Sequence, residues 1–346
     1  MKELVPILVV AACGLVVSVV AVAASLAYAT KRGLLDEPGQ RRSHTRPTPR
    51  GGGIGIVISV LGCAMPALAI FPRAWPGVTI VVIALALLAV AAVGWCDDHR
   101  PLPVLPRIGV HLIASLAVAA TLLAPVAGTD PGLWAWLIPI AFVFTGSINA
   151  HNFMDGIDAL LAFQAAFVLI GYALLAWANG GFALMAAAIA AATACFGFLV
   201  FNRPPARIFM GDVGSGTLGL LIAVIAGLLV QGSLALLWPC LILSSAFLVD
   251  AGLTLSQRIL AGKRWYTAHR EHLYQWMVRA GFSHARTDAM YLLWNLIIAA
   301  PTAWAAVHWP ASGPLLCAAI YAFAAAIWCT GKRMCLANIR STPRAA

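Results

Sequence analysis

Five short polar stretches gather residues that could do chemistry. Asp97 and Asp98 stand side by side where an apolar run closes on Val93-Gly94-Trp95-Cys96. Adjacent carboxylates at a helix end repel each other, and a divalent cation or an arginine relieves the repulsion; otherwise one acid holds a proton. Arg100 and Arg107 follow as possible counter-ions, and a metal ligand beside a base is the other arrangement these acids allow. Asn149, Asn152, Asp155 and Asp158 recur every three residues. On an α-helix such a series stays near one face. Amides passing into carboxylates are costly in lipid. They suit a pocket for a sugar, a nucleotide or a hydrated cation, and a plain polar turn would use the same residues.

Phe209-Met210-Gly211-Asp212-Val213-Gly214-Ser215-Gly216 opens a further apolar run. Glycines ahead of a helix let backbone N–H groups approach a phosphate, and the helix dipole favours the anion. Asp212 is suited either to Mg2+ or to capping the helix. Gly214-x-Gly216-x-x-Gly219 has dinucleotide-loop spacing, but no strand precedes it and an apolar run follows, so that reading fails. His269-Arg270-Glu271-His272 has neither zinc-protease order. Imidazole and guanidinium together suit a pyrophosphate, and a surface loop is the alternative. Between Asp36-Glu37-Pro38 and Gly51-Gly52-Gly53 lie Arg41, Arg42, His44, Arg46 and Arg50, with Pro47-Thr48-Pro49 favouring extended backbone. Attraction to an anionic leaflet and phosphate binding both account for that charge.

The elements that must position these residues are dictated by composition. The chain has 346 residues, 62% hydrophobic and 10% charged, whereas soluble domains are roughly 25% charged. A water-soluble globule and a disordered chain are both excluded. Apolar runs at 4–28, 51–71, 75–95, 108–127, 133–149, 160–178, 182–201, 216–231, 234–253, 289–308 and 314–330 predict an all-α polytopic membrane protein of about eleven transmembrane helices. The first run exceeds a secretory h-region and is followed by basic sequence, so it reads as a retained span. We see no repeat, and the whole of 1–346 reads as a single integral membrane domain. The eight cysteines include no Cys-x-x-Cys pair, which gives no zinc site or disulfide framework.

Eleven spans place 29–50, 96–107, 149–159, 202–215, 254–288 and 331–346 on one side. These segments hold 20 of the 22 Lys and Arg and nine of the 12 acids. The positive-inside rule makes that side cytoplasmic, with the N-terminus outside and the C-terminus inside. The net charge of +10 is then topogenic, and nucleic acid is not an expected partner. The opposite loops are too short for a folded domain, so the chemistry belongs at the cytoplasmic face.

In their order along the chain, these motifs resemble the polyprenyl-phosphate N-acetylhexosamine-1-phosphate transferase family. The matching segments are Asp36-Glu-Pro…Arg42-Ser-His44…Pro47-Thr-Pro-Arg50-Gly-Gly, Asp97-Asp98…Arg107, Asn149-x-x-Asn152-x-x-Asp155-Gly-x-Asp158, Phe201-Asn202…Pro205-Ala…Phe209-Met-Gly-Asp212-x-Gly-Ser215, and His269-x-x-His272 followed by Gly281. The resemblance implies that a lipid phosphate attacks a UDP-sugar at its β-phosphorus and releases UMP, with Mg2+ required and Mn2+ a substitute. It implies Asp97 and Asp98 as the base and its partner, and Asp212 as the metal ligand. Asn152, Asp155 and Asp158 would line the nucleotide pocket, while His269, Arg270, His272 and Arg50 would hold phosphate or sugar. The implied partners are undecaprenyl phosphate, a UDP-N-acetylhexosamine and the bilayer of the bacterial inner membrane; a homodimer is one assembly the sequence allows. Muramyl enzymes carry a histidine run in the last loop. Here Arg270-Glu271 separates two histidines, which points to GlcNAc or a 6-deoxy relative, as does the eleventh span, and so to initiation of O-antigen or another surface glycan. The alternative is an ion-coupled transporter. It would place charges near mid-span and repeat its halves, and the sequence does neither.

Overall fold

The computed structural model describes residues 4–37, 46–72, 75–264 and 269–341. Helices dominate. They are α1 (Leu4–Arg32), α2 (Ile54–Ile70), α3 (Gly77–His99), α4 (Val104–Ala127), α5 (Leu137–Met154), α6 (Leu160–Ala178), α7 (Phe182–Asn202) and α8 (Asp212–Gly232). There follow α9 (Leu237–Leu243), α10 (Ser245–Leu260), α11 (Leu273–Arg279), α12 (His284–His308) and α13 (Gly313–Ser341). The described strands are β1 (Leu35–Asp36) and β2 (Thr48–Pro49), antiparallel with Leu35 opposite Pro49. Pro47-Thr48-Pro49 thus takes the extended backbone expected of it. Arg41, Arg42 and His44 lie outside the described residues.

Each expected apolar run forms helix, but not every one is a plain span. Among the described residues nine helices are long and apolar enough to cross a membrane. The run expected at 234–253 is instead broken: α9 and α10 meet at Ser244 with a bend of 74°. The Tyr172 hydroxyl reaches the Ser244 side chain (3.0 Å) and the Cys240 carbonyl (3.2 Å), supplying polar partners where the helix opens. The run expected at 51–71 is a 17-residue helix, at the short end of spanning lengths. A π-helical turn at Val60–Ala64 lies just before Pro66. α12 has the same device at Asn295–Ala299 before Pro301. Proline lacks an N–H and clashes with the carbonyl four residues back, so the helix loosens there.

Helix α8 is the axis of the bundle, with 83% of its apolar window buried. Its glycines let other backbones come close. A Cβ on Gly219 would meet the Ser147 carbonyl of α5 at 2.7 Å, and one on Gly214 would meet Gly53 Cα just before α2 at 2.6 Å. Ala-rich α7 does the same for α1, where Ser18 donates to the Ala194 carbonyl (2.7 Å). Small residues are how membrane helices gain contact, since lipid gives apolar side chains no reason to leave it. This close packing brings the C-terminal ends of α3 and α5 to the N-terminal end of α8.

Candidate active site

At that end of the bundle Asp98, the next-to-last residue of α3, is buried and caps α8 from another helix. Its Oδ1 accepts the Asp212 N–H (3.0 Å) and its Oδ2 the Val213 N–H (3.1 Å). Gly211, at φ +77°, makes the turn, and a Cβ there would lie 2.5 Å from the Asp98 carboxylate. Gly94 makes room for the Asp212 backbone on the other side: its Cβ would stand 2.5 Å from the Asp212 carbonyl. The glycine-rich stretch therefore does not present these amides to a phosphate, as the sequence suggested. A carboxylate already takes them, and the glycines serve close packing.

Asp97 points elsewhere. Its Oδ1 accepts the Leu102 N–H (2.7 Å) and its Oδ2 pairs with Arg107 Nη1 (2.8 Å). Arg107 Nη2 lies 3.1 Å from Asp212 Oδ2, so one guanidinium bridges the two acids. Arg107 is the counter-ion the sequence left open beside a metal. Asn152, a near neighbour of the Asp212 side chain, donates to Ser215 Oγ (3.0 Å).

The three-residue Asn/Asp series does not run along one helix. α5 ends at Met154, Asp155 leaves the helical region, and Ala159 turns at φ +65°. Asn149 donates back to the Thr145 carbonyl of its own helix (2.8 Å). Asp155 and Asp158 are carried instead by the turn, into a cavity of about 250 Å³ shared with Asp36, Arg50, Asp98, Asn202, Asp212, Gln275 and His284. Asp158 Oδ2 accepts the Ala206 N–H (3.1 Å) and lies 3.2 Å from His284 Nδ1. Burial, and then the charges of Asp212, Asp98 and Asp158, push the Asp155 carboxyl well above the usual carboxylate range.

Of the residues expected from sequence, Arg50, Asp98, Asp155, Asp158 and Asp212 line this cavity. Asn152 and Asp97 adjoin it through Asp212 and Arg107. The last-loop residues lie apart. His269 and Arg270 line a second cavity of about 560 Å³ with Arg258, Lys263, Glu271, Arg279 and Lys332. Burial, then neighbouring His272 and Arg258, push the His269 imidazole down to about 4, so it offers a hydrogen bond at neutral pH and no charge. Burial would raise the Glu271 carboxyl, but Lys263 and Arg258 hold it below its ordinary value. His272 is buried beside Asp250, with Nδ1 3.7 Å from Oδ1. Gln275, His284 and Asp250 were not read from the sequence. Each is a lone polar residue brought to its place by the packing of separate segments, so no local spacing marked it.

The acids offer the hard oxygen donors Mg2+ prefers, and their gathered charge is what a divalent cation would offset. As they stand, no three His, Cys, Asp or Glu among the described residues converge on one ion position. Arg107 fills the space between Asp97 and Asp212. Residue chemistry therefore fits the ion, with Asp212 the most exposed of the cluster's bonded acids and Arg107 the group that would have to yield.

Residues 80–230, which hold all of these acids but those at 36 and beyond 230, match the model of glycosyl transferase family 4. The phospho-N-acetylmuramoyl-pentapeptide-transferase of Shouchella clausii is 33% identical over 289 residues, 75% of this chain and 84% of that protein. The chain belongs to glycosyl transferase family 4, the polyprenyl-phosphate hexosamine-1-phosphate transferases. The decaprenyl-phosphate N-acetylglucosaminephosphotransferase of Mycobacterium tuberculosis is 29% identical, covering 78% of this chain and 75% of the relative. The Bacillus pumilus phospho-N-acetylmuramoyl-pentapeptide-transferase is 31% identical over 55% of this chain, and the match spans 64% of that relative's length. Such a family member should hold its acids where lipid meets water, and here they sit at helix ends on one end of an apolar bundle.

Proposed function

We propose that the protein transfers an N-acetylhexosamine-1-phosphate from a UDP-sugar to undecaprenyl phosphate and releases UMP, starting a lipid-linked glycan. The observation that carries this is the acid cluster of Asp97, Asp98, Asp155 and Asp212, in which Arg107 bridges Asp97 and Asp212, opening into a polar cavity at one end of membrane-length helices. An isoprenoid tail reaches such a place from lipid, and a nucleotide reaches it from water. In the reaction an acceptor phosphate oxygen bonds to the sugar-bearing phosphorus, and the bond from that phosphorus to the UMP oxygen breaks. Phosphoryl transfer asks mainly for positioning and charge neutralisation. Asp98 fixes the start of α8 and so the place of Asp212. Asp97 is the less encumbered proton acceptor: moving Arg107 aside uncovers Oδ2. Arg50, which also lines the cavity, balances anionic substrate. Mg2+, held by Asp212 with its acidic neighbours, would supply charge neutralisation to the two phosphorylated reactants.

Arg270-Glu271 between two histidines supports GlcNAc or a 6-deoxy relative as the sugar, and with it O-antigen or related surface-glycan initiation. The charge asymmetry supports a cytoplasmic active face in the inner membrane, with the C-terminus inside. Nothing favours the transporter alternative. The discontinuous helix at Ser244 carries an acid, Asp250, but it is fully engaged in holding protein donors. The test is purified protein with undecaprenyl phosphate, Mg2+ and a panel of UDP-N-acetylhexosamines. UMP release is expected with UDP-GlcNAc or a 6-deoxy analogue, and failure with every donor overturns the reading.

A further inference from the structure

Asp250 is the sixth residue of α10 and is buried. Its Oδ1 accepts the Leu273 N–H (2.8 Å) and Trp328 Nε1 (2.9 Å), and its Oδ2 accepts the Tyr291 hydroxyl (2.7 Å) and the Tyr274 N–H (3.4 Å). These donors come from α11, α12 and α13. Leu273 and Tyr274 are the first two residues of α11, so Asp250 caps that helix from a different one, as Asp98 caps α8.

From α11 the contacts continue into the cavity wall. His272, at the start of α11, stacks on both His269 (4.9 Å between ring centres) and Tyr274 (5.8 Å). The Tyr274 hydroxyl donates to the Phe153 carbonyl (2.9 Å), two residues before Asp155, and accepts from Gln275 Nε2 (3.1 Å). Gly156 lies so close to that hydroxyl that a Cβ would collide with it. Gln275 itself lines the cavity. A buried carboxylate is an expensive way to join α10 to α13, because matched apolar side chains would do so at no desolvation cost. What the carboxylate adds is a fixed start for α11.

We propose that Asp250 is a positioning residue: by capping α11 it holds Tyr274 and Gln275 against the Asp155–Asp158 turn, so that the wall of the polar cavity keeps one shape. This rests on the transferase reading above. Asp250 touches no reacting atom. Its effect reaches the substrate through Tyr274, Gln275 and the turn at Gly156.

The experiment pairs two measurements on full-length protein in detergent. Amide hydrogen exchange, read by mass spectrometry on peptides covering 270–279, reports the cap. Steady-state UMP release reports KM for UDP-GlcNAc and kcat separately. Asp250→Asn keeps the shape but turns a donor toward donors. It should open the Leu273 and Tyr274 amides and raise donor KM roughly tenfold, with kcat within about threefold. Asp250→Glu restores the charged acceptor and should return both quantities most of the way. A merely structural residue would lower the amount of folded enzyme, and hence apparent kcat, without moving KM. The proposal is overturned if Asp250→Asn leaves exchange and KM unchanged, or if one moves without the other in either variant. Should Asp250→Asn not accumulate, the same pairing is read in Asp250→Glu. If wild-type protein turns over no donor, the transferase reading fails, while the exchange measurement still decides whether Asp250 holds the start of α11.

Discussion

Replacing Asp98 by Asn separates two roles that a simple activity loss would merge. The carboxylate accepts two backbone N–H groups at the start of α8, Asp212 at 3.0 Å and Val213 at 3.1 Å. An amide can accept only one of them and turns its own NH2 toward the other. A hydrogen bond to a charged acceptor is worth about 1.5–3 kcal/mol, and a charge at a helix N-terminus about 0.3–1 kcal/mol more. Where Asp98 is ionised, Asp98→Asn should therefore cost roughly 2–4 kcal/mol, or a fall in Tm of about 4–8 °C. Asp97→Asn is the control. Its carbonyl keeps the Leu102 N–H, and only the partly exposed pair with Arg107 is lost, so its Tm should move by no more than about 2 °C. Both variants should lose most UMP release, Asp97→Asn through chemistry and Asp98→Asn also through displacement of Asp212. Thermal unfolding of both in detergent, followed by tryptophan fluorescence, reads the difference. Equal melting of Asp98→Asn and wild type would refute the capping role and the account of how Asp212 is placed.

Arg107→Gln removes the cation that spans Asp97 and Asp212. The Mg2+ concentration giving half-maximal UMP release should fall severalfold as kcat drops, and an unchanged Mg2+ requirement would show that Arg107 and the ion do not share a place. Gly211→Ala puts a Cβ 2.5 Å from the Asp98 carboxylate at φ +77°. At ψ 172° this backbone is in a region essentially confined to glycine and alone costs about 1–3 kcal/mol, so yield and Tm should both fall, whereas Gly252→Ala, with open space around it, should change neither. Asp155 has a folded-state pKa raised above its unfolded value by burial and three acids. The folded state then binds the extra proton, so without divalent cation its contribution to stability falls as pH climbs above about 4. Asp155→Asn should flatten that part of a Tm-against-pH curve, and an unaltered slope would remove Asp155 as its source. Because a cation would displace the Asp155 proton, half-saturating Mg2+ should also fall with rising pH in wild type and less so in Asp155→Asn.

The helices could be read from the sequence because lipid demands long apolar runs, and 160–178 became α6 (Leu160–Ala178) to the residue. The acids could be read as a group because carboxylates at span ends need a purpose. Their order along the chain also indicated the family, because each motif sits in its own loop. What the sequence left undecided depends on which helix ends meet. The glycines around Asp212 suited a phosphate loop equally well until Asp98 was seen to occupy those amides. The Asn/Asp series suggested one helical face, but a turn at Ala159 sends Asp155 and Asp158 into the cavity and leaves Asn149 behind. The sequence places Asp250 near the cytoplasmic end of an apolar run but gives it no role, since nothing local reveals that Leu273, Tyr291 and Trp328 will surround it. Hydrophobic length and residue chemistry are properties of a segment, and the sequence by itself determines them. Whether a carboxylate caps a helix, pairs with an arginine or holds its proton depends on neighbours from other segments of the chain, and only tertiary packing brings those neighbours together.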